Sequence, residues 1–441
     1  MSVANSKKSS KSRKDVINIL EKNFQNNLDS DYTEKIEQLD KQFDYESSKN
    51  EYWSKPELSF LYGTPLYEQC SETQKLALNH LHWSLGYMSI ANSEAEVTNY
   101  NLITGEILGK FGEKYKSILK QLEHETAQER VHIHAFYKIS HKTHKKLLGN
   151  RFLLEVSKKS LKKSGNLSSN IFFIVNKISK LIVKNNSNAK GISSQQRRNE
   201  STDFLASTNG YFHGFQGDRS RDLKYLFASS WGKSEFLASN FYLLRYLSNL
   251  FLKSYEEQIY KYCLALKKQG KDTPIATEIS YYHLLDEAFH TTTSLFCGQE
   301  LFKNFPQPSY VEKFIANLGV YLTQLENLSS ISGIAPSRFM NDAYLMDYIY
   351  MLFKSPIFSM DHQEALNWME KCFCKDHEGF HINLNLHQKL LKNSLNYTNK
   401  IDYLWPVNKQ LKIMASVSIE KAIKNNIASF KKFTKSMAES V

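Results

Sequence analysis

Residues 281–290 read YYHLLDEAFH and set His283, Glu287 and His290 at steps of four and three. An α-helix turns by about 100° per residue, so positions 0, 4 and 7 share one stripe of its surface. Three groups able to hold a metal then point the same way, with Leu284, Leu285 and Phe289 around them. One such stripe is also what a half-exposed polar helix face looks like, so the motif needs support from elsewhere in the chain.

Support comes from LEHETAQERVHIHAFY (122–137), where Glu125, Glu129 and His132 repeat the 0, 4, 7 spacing and Glu129–Arg–Val–His132 is an E-x-x-H pair. Glu287–Ala–Phe–His290 is a second such pair. Two E-x-x-H helices, plus one Glu from each of two further helices, are how a ferritin-like four-helix bundle holds two metal ions. The chemistry explains the residue types. Adjacent cations repel, bridging carboxylates offset the charge, and imidazoles complete the sites while leaving positions open for dioxygen. The helix before each E-x-x-H helix therefore has to supply a Glu. IANSEAEV (90–97) offers Glu94 and Glu96 in an apolar run where unpaired carboxylates would be costly, and LKSYEEQIYKY (252–262) offers Glu256 and Glu257. The residues alone leave both choices open.

The elements that must position these groups are long helices. Gly (17) and Pro (8) are scarce in 441 residues, so turns are few. Ser71–Glu–Thr–Gln74 is a capping box that opens a helix over about 73–109. Further helices are expected at about 113–147, 170–184, 204–216 and 220–269, and Asp272–Thr–Pro274 starts the helix carrying the opening motif. The stretch NNSNAKGISSQQRRNESTD (185–203) reads as a linker. No strand-rich region or short-period repeat is visible, so the fold class is all-α: a ferritin-like four-helix bundle with additional helices.

At this point the chain resembles the AurF-like non-haem diiron oxygenase family. The likeness runs from about 56 to 300 and is carried by LYGTPLYEQCSETQ (61–74), the E-x-x-H at 129–132 and HLLDEAFH (283–290). That family's last helix reads H-x-x-x-E-x-x-H, which accounts for His283 as a third histidine. Its spacings select Glu94 over Glu96 and Glu256 over Glu257. The resemblance thus implies the metal ligands Glu94, Glu129, His132, Glu256, His283, Glu287 and His290; Phe289 departs from the family, where many relatives carry Arg. LNHLHW (78–83), SEAEVTNYN (93–101) and ETAQERVHIHAF (125–136) are similar, more narrowly, to the CylC-type dimetal-carboxylate halogenases, which also carry a long C-terminal extension.

These likenesses imply a non-haem diiron-type oxidoreductase of natural-product biosynthesis. It would use two iron ions or a mixed metal pair, dioxygen, an external reductant and a halide. The implied reaction is chlorination of an unactivated carbon of a fatty acyl chain on an acyl carrier protein, with an electron-donor protein as second partner. The broader family implies the alternative, a monooxygenase that hydroxylates or N-oxygenates an amine or acyl substrate. A ferroxidase without organic substrate fits less well, since it has no need of His283.

Neighbours of the ligands have expected roles too. Asp286 is placed to accept from the imidazole of His132, and Gln128 to serve His290. Trp83, Tyr87 and Phe136 suit either a substrate tunnel or core packing. His124, His134, His141 and His144 read as surface residues.

The net charge is +12, part of it in Lys7–Lys14 (KKSSKSRK), which reads as a disordered tail. A basic balance suits an acidic carrier protein, and 170–203 is a candidate docking segment. No nucleic-acid module is recognisable. Five cysteines, odd in number and within helical stretches, suggest reduced thiols in a cytoplasm. No signal peptide is evident, and IFFIVNKISKLIV (171–183) is too short and too charged to span a bilayer. The expected organisation is a basic tail and N-terminal helix over 1–50 and a dimetal oxygenase core over 51–304, with an inserted loop at about 150–220. A helical extension follows over 305–441, its role open, as is the oligomeric state.

Overall fold

A computed structural model of the chain describes residues 3–109, 113–149 and 234–438. Among them every regular element is helical and no strand occurs. The expected helices at 170–184 and 204–216, the linker at 185–203 and the insertion at about 150–220 lie outside the described residues. Two helices come first, α1 (Val3–Asp29) and α2 (Thr33–Gln42). The basic run 7–14, expected in a disordered tail, falls within α1.

Four long helices form the bundle: α3 (Glu72–Gly109), α4 (Lys116–Leu148), α5 (Glu235–Lys268) and α6 (Ile275–Gln299). Local chemistry sets their starts. Ser71 N–H donates to Gln74 Oε1 at 2.9 Å while Gln74 N–H donates to Ser71 Oγ, the reciprocal cap read from the sequence. Ser234 Oγ accepts from Leu237 N–H to cap α5, and Pro274 fixes the entry to α6. The helices pair as two hairpins, α3 with α4 and α5 with α6, while α3 also packs on α5 and α4 on α6. α3 is enclosed: Leu78, Leu81, Trp83, Leu85, Tyr87, Ile90 and Ala91 are all buried, so apolar side chains leave it on nearly every face. α1 and α2 lie across α4 and α6 and cover that side of the bundle.

The chain then adds α7 (Tyr310–Thr323), α8 (Met346–Lys354), α9 (His362–Phe373), α10 (Glu378–Thr398) and α11 (Ile419–Ala438). Between α7 and α8 an irregular segment turns back onto the bundle. Ile334 O accepts from Leu61 N–H at 2.7 Å, and Gln258 of α5 donates to Ser337 Oγ at 2.6 Å. Its far side is held by Asn383 of α10, which accepts from Ser337 N–H at 2.8 Å and donates to Ala335 O at 3.0 Å. Asp342 accepts from Ser332, from Gly333 N–H at 2.9 Å and from Asn426 of α11 at 2.8 Å. These bonds satisfy the polar groups that an irregular buried backbone would otherwise leave unpaired. No helix among the described residues is long and apolar enough to cross a membrane. The five cysteines are free thiols.

Candidate metal centre

All seven side chains singled out as ligands are buried, each no more than 6 % exposed. Helical spacing brings Glu129 and His132 together on α4, and His283, Glu287 and His290 on α6. α3 contributes Glu94 and α5 contributes Glu256. Two groups of potential ligand atoms result. Glu94, His132, His283 and Glu287 form one, and Glu129, Glu287 and His290 the other; within each, the atoms lie within 4.8 Å of one another. Glu287 belongs to both. Glu256 stands beside these groups, its Oε2 at 3.8 Å from His283 Nδ1 and 2.7 Å from Lys253 Nζ.

The imidazoles share one orientation on the two E-x-x-H helices. Nδ1 of His290 faces Glu287 Oε1 (2.6 Å) and Glu129 Oε1 (3.1 Å), while its Nε2 meets Gln128 Oε1 at 2.9 Å. Nδ1 of His132 faces Glu129 Oε2 at 3.4 Å, and its Nε2 lies 3.1 Å from Asp286 Oδ2. Asp286 and Gln128 thus sit on the histidines expected for them. An outer acceptor that takes the Nε2–H leaves the Nδ1 lone pair aimed inward.

The acceptors are themselves held from outside the bundle. Asn27 of α1 exchanges two hydrogen bonds with Gln128, at 3.0 and 2.9 Å. The Tyr32 N–H donates to Asp286 Oδ1 at 3.2 Å. Neither Asn27 nor Tyr32 was visible as a site residue, because nothing in local sequence pairs them with a helix about a hundred or more positions away.

Basic side chains complete the electrostatics. Arg245 donates to Glu125 Oε2 at 2.9 Å and lies 3.5 Å from Glu129 Oε1. Lys253 reaches both Glu256 (2.7 Å) and Glu287 (3.0 Å). Thr293 donates to Glu125 at 2.6 Å. For Arg245 and Lys253 a signal was present but unread: both precede Glu256 at helical spacing on α5.

The arrangement fits a multivalent cation. Glu94 Oε2 and His283 Nδ1 are buried without hydrogen-bond partners, although each is a strong ligand atom. Burial, and then the charges of Glu129 and Glu287, push the Glu94 carboxyl well above the usual carboxylate range. So many carboxylates cannot all ionise in a dry interior without a compensating positive charge. Hard oxygen and borderline imidazole donors suit a first-row transition metal, and the shared Glu287 suits two.

The aromatic candidates form one wall of this centre. Trp83, Tyr87 and Phe136 are fully buried, with Tyr87–Phe136 ring centroids 4.4 Å apart and Phe136 edge-on to His283 at 4.8 Å. His144, read as a surface residue, is instead buried and bonded to Ser84 Oγ at 3.0 Å. It lies on the inward stripe of α4, where a hydroxyl from α3 satisfies it.

The family model described as acyl halogenase CylC-like matches residues 15–434. No curated protein and no solved structure matches the chain.

Proposed function

The chain belongs to the CylC-like acyl halogenase family, and from that premise we propose that its buried centre holds two metal ions, taken to be iron, and halogenates an acyl chain with dioxygen as oxidant. One observation carries the dimetal reading: Glu287 joins two separate groups of buried ligand atoms on paired E-x-x-H helices. Glu94, His132 and His283 would hold one ion and Glu129 and His290 the other, with Glu287 between them and Glu256 the remaining carboxylate. When bound, the metal pair supplies the oxidising power needed to break an unactivated C–H bond.

The chain's own residues supply the rest. Asp286 and Gln128 fix the histidine tautomers, and Arg245 and Lys253 balance carboxylate charge. Trp83, Tyr87 and Phe136 exclude water from one side, which strengthens every electrostatic interaction within. A hydrocarbon chain offers no polar handle, so placement of the carbon against the centre has to set the position of attack. The word acyl in the family description and the net charge of +12 support an acyl group carried on an acidic carrier protein as the substrate. An external electron donor would return the metals to the reduced state.

The test is anaerobic loading of the full chain with Fe(II), then addition of dioxygen, a reductant and a fatty acyl carrier protein, with and without chloride. Mass spectrometry should show replacement of one hydrogen by chlorine only when chloride is present. Oxygen insertion in its place would make the protein a hydroxylase or N-oxygenase, and no change in any acyl substrate would remove the reading.

A further inference from the structure

Among the described residues the bundle buries two guanidinium groups, Arg245 and Arg338, and a third cation, Lys253, reaches into it. Arg245 and Lys253 each face two carboxylates. Arg338 forms no ion pair with any described carboxylate, and its Nη2 is buried with no hydrogen-bond partner. The charge of Glu256 is felt there only at longer range. The Arg338 guanidinium carbon stands 4.0 Å from the centroid of the Tyr255 ring, a contact that attracts a cation but supplies no counter-charge. A buried charge of this kind is costly unless something completes it.

The surroundings indicate what completes it. Arg338 Nη2 and the Tyr255 hydroxyl converge on the bare Cα of Gly86 in α3. A methyl group there would collide with Nη2 and lie 3.0 Å from Tyr255 Oη. Neither the Tyr255 hydroxyl, which faces Arg338, nor the hydroxyl of Tyr87, which is next to Gly86 in sequence and faces Ser280, completes a hydrogen bond of ordinary geometry. These are hydrogen-bond donors, and no described carboxylate accepts from them. A side chain at Gly86 would meet Arg338 Nη2 itself, so a glycine here is what lets the guanidinium come this close to α3. The segment that delivers Arg338 is held by Asn383 of α10 and, through its own Asp342, by Asn426 of α11. The spot adjoins the metal centre: the Tyr87 ring lies 6.0 Å from those of both Tyr255 and His283, and Tyr255 precedes Glu256.

We propose that Arg338 and Tyr255, over Gly86, bind the halide ion, one ring away from the metal ligands. The C-terminal extension would then serve to bring a positive charge to a bundle whose ligand positions are filled by carboxylate and imidazole. A single guanidinium nitrogen and a phenol hydroxyl match a spherical anion. A planar carboxylate would engage two guanidinium nitrogens side by side. The inference rests on the halogenase reading of the centre, but the site is built from residues outside the proposed ligand set.

The experiment measures halide and metal separately on the full chain. Chloride binding is followed by ³⁵Cl NMR line broadening, with and without iron, and bromide is located by anomalous diffraction. Bromide should appear between Arg338 and Tyr255 whether or not iron is bound. Arg338→Met should abolish this binding and Tyr255→Phe weaken it by about tenfold, the loss of one hydrogen bond to an ion. Both variants should keep the wild-type iron content, and circular dichroism checks that they fold. Halide that binds only with iron present, or equally in both variants, would overturn the assignment, as would water alone at the spot. Bromide at Arg338 in a chain that takes up no iron would sustain the halide site and sink the dimetal reading instead.

Discussion

Asp286 Oδ2 lies 3.1 Å from Nε2 of His132, across 154 positions of sequence and between two helices of the bundle. The contact sets which nitrogen of His132 is free to face inward. Removing such an outer partner typically costs 10- to 100-fold in metal affinity. Asp286→Ala should therefore weaken iron binding by about that factor, measured by chelator competition, while His132→Ala should remove one ion altogether. Equal affinity in Asp286→Ala and wild type would mean that the pair is only structural.

The two ligand groups share Glu287, and this asymmetry is measurable. Glu94→Ala touches one group, so about one equivalent of iron should remain per chain by elemental analysis. Glu287→Ala touches both and should leave well under one equivalent. If the two variants retained the same iron, the site would not be bridged in the way described.

Metal uptake should depend on pH, with a definite sign. Burial and the neighbouring Glu129 and Glu287 charges raise the Glu94 carboxyl well above the usual carboxylate range, so in metal-stripped protein it gives up its proton at higher pH than a free carboxylate. Burial acts to depress His132, but Asp286 and Glu129 outweigh it and set the imidazole at about 10. Both groups have to lose a proton to bind metal, so affinity should rise with pH. Between about pH 6 and pH 8 the slope should be about tenfold per pH unit for each proton released. Calorimetry in buffers of different ionisation enthalpy counts those protons, and a flat profile would contradict the charge distribution.

Arg245 neutralises Glu125 beside the centre, and both are fully enclosed. Breaking such a pair from one side leaves a buried charge and costs about 3–5 kcal/mol. Arg245→Met should destabilise the chain by that order in denaturant unfolding. The double change Arg245→Met with Glu125→Gln should recover part of the loss, since it removes the nearer of the two carboxylates that Arg245 faces and leaves Glu129. Absence of recovery would show that Arg245 acts through packing.

The parts legible in the sequence were those that repeat within a helix. E-x-x-H spacing holds regardless of the rest of the fold, so Glu129, His132, Glu287 and His290 group together on spacing alone, and the capping box at Ser71 is equally local. Glu94 and Glu256 were ambiguous against their neighbours, because two carboxylates one or two positions apart give no preference of their own; family likeness made the choice. Asn27, Tyr32 and Arg338 were illegible for another reason. Each acts across the tertiary fold from an element with no periodic signal toward the centre, and Arg338 arrives on an irregular segment. Composition pointed to a disordered tail, but α1 includes that stretch. His144 was misplaced because a polar residue on an inward stripe looks like surface until its partner, Ser84, is known.

Asn27 locks Gln128 and, through it, one histidine of the centre. A worker who trims the first thirty residues to improve expression would remove a clamp rather than an ornament. Such a shortened enzyme should still fold as a bundle yet leak iron on dialysis, and its poor turnover would be mistaken for a wrong substrate.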